Sequence, residues 1–137
     1  MDLAKTLKIS YVFPGDALAD AALRDNLEEV EKLVNRGDDP SGRCHIYGSP
    51  LQAAVTAGDL EITETIIEAG ADVNASGGQF STPLIAATVS GRKSIVKLLL
   101  DAGADVRADG GRYVSALYQA VSHSNKKLAV MLLEHGA

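Results

Sequence analysis

Four segments of this chain repeat one pattern at a fixed spacing, and that spacing limits the fold more than any local signal does. Asp16-Ala17-Leu18-Ala19-Asp20-Ala21-Ala22 aligns with Ser49-Pro50-Leu51-Gln52-Ala53-Ala54-Val55, then with Thr82-Pro83-Leu84-Ile85-Ala86-Ala87-Thr88 and Ser115-Ala116-Leu117-Tyr118-Gln119-Ala120-Val121. The starts at 16, 49, 82 and 115 are 33 residues apart with no insertion. A second block keeps phase as Asn35-Arg36-Gly37-Asp38-Asp39, Glu68-Ala69-Gly70-Ala71-Asp72, Asp101-Ala102-Gly103-Ala104-Asp105 and Glu134-His135-Gly136-Ala137. Repetition at this period marks an array of stacked units, none of which can bury its own apolar face.

Within a unit the pattern reads as two short helices and a projecting turn. Ser49, Thr82 and Ser115, with Asp16 in the first unit, are residue types that cap a helix amino terminus. Pro50 and Pro83 follow at the first helical position, where a missing N–H does no harm. Leu18, Leu51, Leu84 and Leu117 precede Ala21, Ala54, Ala87 and Ala120 by three residues, so each pair shares a helical face. Gly58 and Gly91 suit the end of the first helix, with Asp25 and Ser124 as weaker substitutes. The second helix carries Val30-Leu33-Val34, Thr63-Ile66-Ile67, Val96-Leu99-Leu100 and Ala129-Leu132-Leu133, an i, i+3, i+4 stripe. Gly37, Gly70, Gly103 and Gly136 end it. The predicted helices span 17–24, 27–36, 50–57, 60–69, 83–90, 93–102, 116–123 and 126–135.

These motifs resemble the ankyrin repeat, whose hallmark runs T-P-L-H-x-A, then G, V-x-x-L-L and G-A-D. The resemblance covers residues 16–137 and implies an all-α solenoid of four helix-turn-helix units (16–48, 49–81, 82–114 and 115–137) with projecting finger turns. Residues 1–15 are read as an amino-terminal capping segment, with Leu3, Ala4, Leu7 and Ile9 at roughly helical spacing and Phe13 in a degenerate finger. The chain departs from the family twice. Its usual histidine is replaced by Ala19, Gln52, Ile85 and Tyr118, so the hydrogen bonds of that histidine are missing or remade. Tyr47, Phe80 and Tyr113 stand where the fingers normally carry glycine, while Gly77-Gly78 and Gly110-Gly111 come earlier. This G-G-x-aromatic finger is similar to repeats of large fungal ankyrin proteins.

The family implies a protein-interaction module without catalysis, and the residues offer little chemistry against that. A single cysteine, Cys44, cannot form an internal disulfide and suits the cytosol or nucleus. A formal charge of −5, with no basic run, makes nucleic acid and acidic membranes poor partners. No apolar stretch nears the ~20 residues of a membrane span. Cys44-His45 are neighbours whose side chains point apart, and His45, His123 and His135 show no metal-ligand spacing. No phosphate loop is present, so neither cofactor nor metal is expected.

Positions that vary within one phase are the candidates for partner binding. On the fingers these are Arg43, His45, Ile46, Gln79, Ser81, Arg112 and Val114. On the exposed side of the first helices they are Arg24, Thr56, Ser90, Ser122 and His123, extended by Tyr118 and Gln119. The in-phase aromatics read as packing between fingers, or else as binding anchors on the concave face. An alternative reading, a small-molecule binder or enzyme, would use a pocket near the last two repeats with Arg112, Tyr113, Tyr118 and His123. At the carboxyl-terminal edge Leu128, Val130 and Met131 form an apolar group, with Val130 in phase with Glu31, Glu64 and Lys97. Such an edge fits a weak homodimer, further sequence of a longer protein, or a tolerated apolar end of a monomer.

Overall fold

The computed structural model describes residues 13–44 and 47–137, and the expected amino-terminal helix lies outside the described residues. Among the described residues, eight α-helices form four antiparallel pairs: α1 (Asp16–Leu23) with α2 (Leu27–Arg36), α3 (Pro50–Ala57) with α4 (Leu60–Glu68), α5 (Pro83–Val89) with α6 (Lys93–Asp101), and α7 (Ala116–Ser122) with α8 (Lys126–Glu134). Among the described residues there is no strand, only an isolated bridge between Cys44 and Gly48. Each helix end lies within one residue of the predicted one. The odd-numbered inner helices stack on one another, and so do the even-numbered outer ones.

Capping explains where the helices begin. Ser49, Thr82 and Ser115 accept the backbone N–H groups of Gln52, Ile85 and Tyr118 at 3.2, 3.2 and 3.1 Å. Asn26, Asp59 and Asn125 cap α2, α4 and α8 in the same way, whereas Arg92 gives α6 no side-chain cap. The first unit differs from the expected arrangement. Asp16 is the first helical residue, with Gly15 at the cap, and its carboxylate reaches back to the Phe13 N–H at 3.1 Å.

One continuous core runs through the stack. Leu18, Leu51 and Leu84 are buried in phase, and Ala21, Ala54, Ala87 and Ala120 let the inner helices approach closely. Val30, Ile62, Ile66, Val96, Leu99 and Leu132 fill the space below them. A hydrogen-bonded ladder joins the loops that follow the outer helices, at positions 41, 74 and 107 of one phase. Ser41 Oγ accepts the Asp72 N–H at 2.8 Å, Asn74 Oδ1 accepts the Asp105 N–H at 2.6 Å, and Arg107 Nε donates to the Gly136 carbonyl at 2.8 Å. Sequence reasoning missed this ladder because three unlike side chains do the same work.

The substitutes for glycine after the inner helices take the conformation that glycine would. Asp25 and Ser124 have φ of 57° and 55°, beside 79° and 70° at Gly58 and Gly91. Asp25 also faces Asp59. Their shared hydrogen bond, then their mutual repulsion, holds Asp25 above its ordinary pKa, and the same bond lowers that of Asp59. The raised Asp25 contributes stability that is present below its unfolded pKa and lost as pH rises through its folded value. Asp25→Asn supplies a permanent donor and tolerates the left-handed conformation better. Its stability advantage over wild type, read from urea midpoints, is expected to be largest at neutrality and to narrow as pH falls into the carboxylate range. An advantage independent of pH would deny the Asp25–Asp59 bond.

Candidate functional site

Each finger closes on the same backbone bond. The N–H groups of Cys44, Gly77 and Gly110 donate to the carbonyls of Gly48, Ser81 and Val114 at 3.2, 2.8 and 2.9 Å. The accepting residue has positive φ in all three, 79°, 73° and 65°. The conformational demand on glycine has therefore moved one residue past the aromatic position. Only Gly48 meets it freely; Ser81 and Val114 are strained, and a β-branched residue there is a true outlier. Val114→Gly is expected to stabilise the chain by about 0.5–2 kcal/mol, the strain released less the entropy that glycine adds to the unfolded chain. A lower urea midpoint for that variant would contradict this backbone geometry.

The four residues in the family's histidine slot have four different fates. Ala19 is buried with Cys44, Ala53 and Tyr47. Gln52 remakes the lost bonds: its buried amide lies 3.3, 3.0 and 3.3 Å from the carbonyls of Ala75, Gly77 and Ser81, tying α3 to the next finger. Ile85 is apolar and packs so closely over Gly110 that a Cβ there would lie 2.4 Å from its Cδ1. Tyr118 is 56% exposed.

Phe80 and Tyr113 stack across adjacent fingers with ring centroids 5.3 Å apart and planes tilted by 49°. Both pack against the main core, and Tyr47 packs against the smaller cluster around Cys44. The Tyr113 carbonyl accepts from Gln119 Nε2 at 2.7 Å, and the Gln119 carbonyl lies 2.8 Å from His123 Nδ1. A thread of contacts thus holds two fingers and α7 in one arrangement.

Around this frame the expected binding residues separate. Gln79, Arg112, Val114 and Tyr118 are exposed on the fingers and the start of α7, and Ser90, Ser122 and His123 are exposed at the far ends of the inner helices. Arg43 is exposed with its guanidinium 4.9 Å from the Phe13 ring centre, and Arg24 pairs with Asp20 at 2.9 Å. Ser81 is half-buried, with Oγ donating to the Asp109 carbonyl at 3.3 Å. Thr56 is half-buried too, and its enclosed hydroxyl has no hydrogen-bond partner among the described residues. Gln119 departs from the expectation: it is only 8% exposed, because its amide serves the finger. His45 and Ile46 lie outside the described residues.

The carboxyl-terminal edge needs one correction. Leu128 is fully buried, since it occupies the phase of Ile62 and Ile95 in the core. Val130 is 53% exposed and Met131 half-buried. Val121 and Leu133, 63% and 54% exposed, were missed. Their counterparts Val55 and Leu100 are buried under the following unit, and that phase comparison would have found them.

Burial, and secondarily the charge of Asp16, pushes the Cys44 thiol up to about 12, so it stays protonated near neutrality. Among the described residues no three His, Cys, Asp or Glu side chains converge as metal ligands, and no helix is long and apolar enough to cross a membrane. An open groove of about 360 Å³ on the last two units is lined by Lys93, Lys126, Lys127, Val130, Met131 and Glu134, not by Arg112, Tyr113, Tyr118 or His123.

No curated protein gives a significant match to the chain. A family profile described as ankyrin repeats (3 copies) matches residues 18–110 and 77–137, which together span the helical array. With its 33-residue period, paired helices and closed fingers, this chain belongs to the ankyrin repeat family.

Proposed function

We propose that the chain binds another protein through the finger tips and the exposed side of the inner helices, with Gln79, Arg112 and Tyr118 at the centre. Ankyrin repeats are generally protein–protein interaction modules and typically not enzymes. The observation that carries the finer reading is a contrast within one small area. The fingers are fastened by the Gln52 and Gln119 amides and the Phe80–Tyr113 pair, while the side chains of Gln79, Arg112 and Tyr118 are exposed and make no hydrogen bond or ion pair among the described residues. Rigid support lowers the entropy lost on binding, and tyrosine and arginine are the commonest anchors of protein interfaces.

In this reading residues 16–137 act as one array of four repeats in the cytosol or nucleus, with residues 1–15 as its cap. The finger motif fits the fungal-like variant. A weak homodimer through the carboxyl-terminal edge is a further arrangement that exposed Val121 and Leu133 support. Affinity capture should test the main surface. A Gln79→Ala, Arg112→Glu, Tyr118→Ala variant is expected to lose most of the partner captured by wild type, about tenfold or more for anchor residues, with helix content unchanged. Glu64→Lys, on the exposed side of α4, is expected to keep it. The opposite pattern would overturn the assignment.

A further inference from the structure

Charge is not spread evenly along this chain. Residues 16–81 hold four basic and thirteen acidic side chains, whereas residues 82–137 hold seven basic and four acidic. The outer helices follow the same division. α2 and α4 carry Glu28, Glu29 and Glu61 in their first turns, where acids favour the helix dipole. α6 and α8 instead begin with Lys93 and with Lys126-Lys127, and Arg92 stands at the uncapped start of α6. Cations at these positions oppose the helix dipole. A local preference broken in two neighbouring helices is what a binding surface would produce.

The same lysines border the groove between α6 and α8. Val130 and Met131 line it as well, and Glu134 is the single acid among its lining residues. Val130 is exposed at a phase occupied elsewhere by Glu31, Glu64 and Lys97, so an apolar side chain stands where the other three units carry charge. None of Lys93, Lys126 and Lys127 has an ion-pair partner among the described residues. On these observations we infer that this groove docks an acidic amphipathic segment of a partner protein. Carboxylates of that segment meet Lys93, Lys126 and Lys127, and one of its apolar side chains covers Val130 and Met131. The groove is formed by outer helices, so this inference stands apart from the proposed surface on the fingers and inner helices.

The probe is a labelled helical peptide of about 14 residues with Glu and Leu spaced to share one face, followed by fluorescence anisotropy. Wild type is expected to bind it, more weakly as salt rises. Lys126→Glu with Lys127→Glu is expected to weaken binding by about tenfold or more, and Lys126→Gln with Lys127→Gln by about threefold. Val130→Ser and a peptide with Gln in place of Glu should each weaken it as well. The Gln79→Ala, Arg112→Glu, Tyr118→Ala variant should bind the peptide like wild type, which separates the two surfaces. Circular dichroism of every variant checks that it is folded. Wild type that ignores the peptide, or variants that bind it equally, would overturn the inference. Two further outcomes would also replace it: flotation with phosphatidylserine vesicles without peptide binding, or sedimentation as a dimer that the lysine reversals dissociate.

Discussion

Leu99→Ala is expected to lower the unfolding free energy by about 2–5 kcal/mol, the range for truncating a fully buried leucine. Leu99 lies on α6 with no exposure, in one cluster with Leu84, Val96, Ile66 and Leu132. This seam is the larger of the two buried clusters and runs through all four units, so a cavity there weakens the contact of the third unit with both neighbours. Leu133→Ala is the control, because that side chain is 54% exposed and should change stability by less than about 0.5 kcal/mol. Urea unfolding followed by circular dichroism reads both. A Leu99→Ala midpoint indistinguishable from wild type would refute the shared core.

Gly78→Ala should cost about 2–5 kcal/mol, and its in-phase counterpart Gly111→Ala only about 1–2 kcal/mol. The two glycines have similar conformations, φ of 67° and 58°, so the left-handed penalty is common to both. They differ in their surroundings. A Cβ on Gly78 would lie 2.4 Å from the Tyr47 carbonyl carbon and 2.5 Å from its oxygen, while nothing lies within 4 Å of one on Gly111. The first two fingers therefore meet backbone to backbone, and neither can yield by turning a side chain. Equal losses for the two variants would mean that the fingers do not meet in this way.

The contrast between these glycines shows what the sequence made legible and what it did not. Repetition at 33 residues specified the helices to within one residue, because cap, leucine, alanine and terminal glycine recur at each unit. Identical phase was less informative about contacts. Gly78 and Gly111 share a letter and a positive φ but differ in what they touch. Leu128 looked like part of an apolar edge until its phase was matched to Ile62 and Ile95. Long-range partners were the main loss. The amide of Gln52 joins residues 23 to 29 positions away, and Asn74 reaches 31 positions to Asp105. Neither leaves a local trace.

For the candidate surface, exposure was mostly legible and engagement was not. Gln79, Arg112, Val114 and Tyr118 are exposed as their variability within one phase suggested. Gln119 belongs to the same stretch, yet the strained Val114 turn presents the Tyr113 carbonyl to its amide and draws that side chain inward. A sequence shows that a residue departs from a repeat; whether the departure serves packing or a partner depends on which backbone groups the turn leaves open.

Site-specific photo-crosslinking tests the central claim most directly. A photoreactive aromatic residue at Arg112 or Gln79 is expected to capture a protein partner from the chain's own cells, and the same residue at Glu64 on the opposite helix face to capture little. Crosslinks confined to Glu64, with none from the finger positions, would contradict a partner-binding surface on the fingers and inner helices.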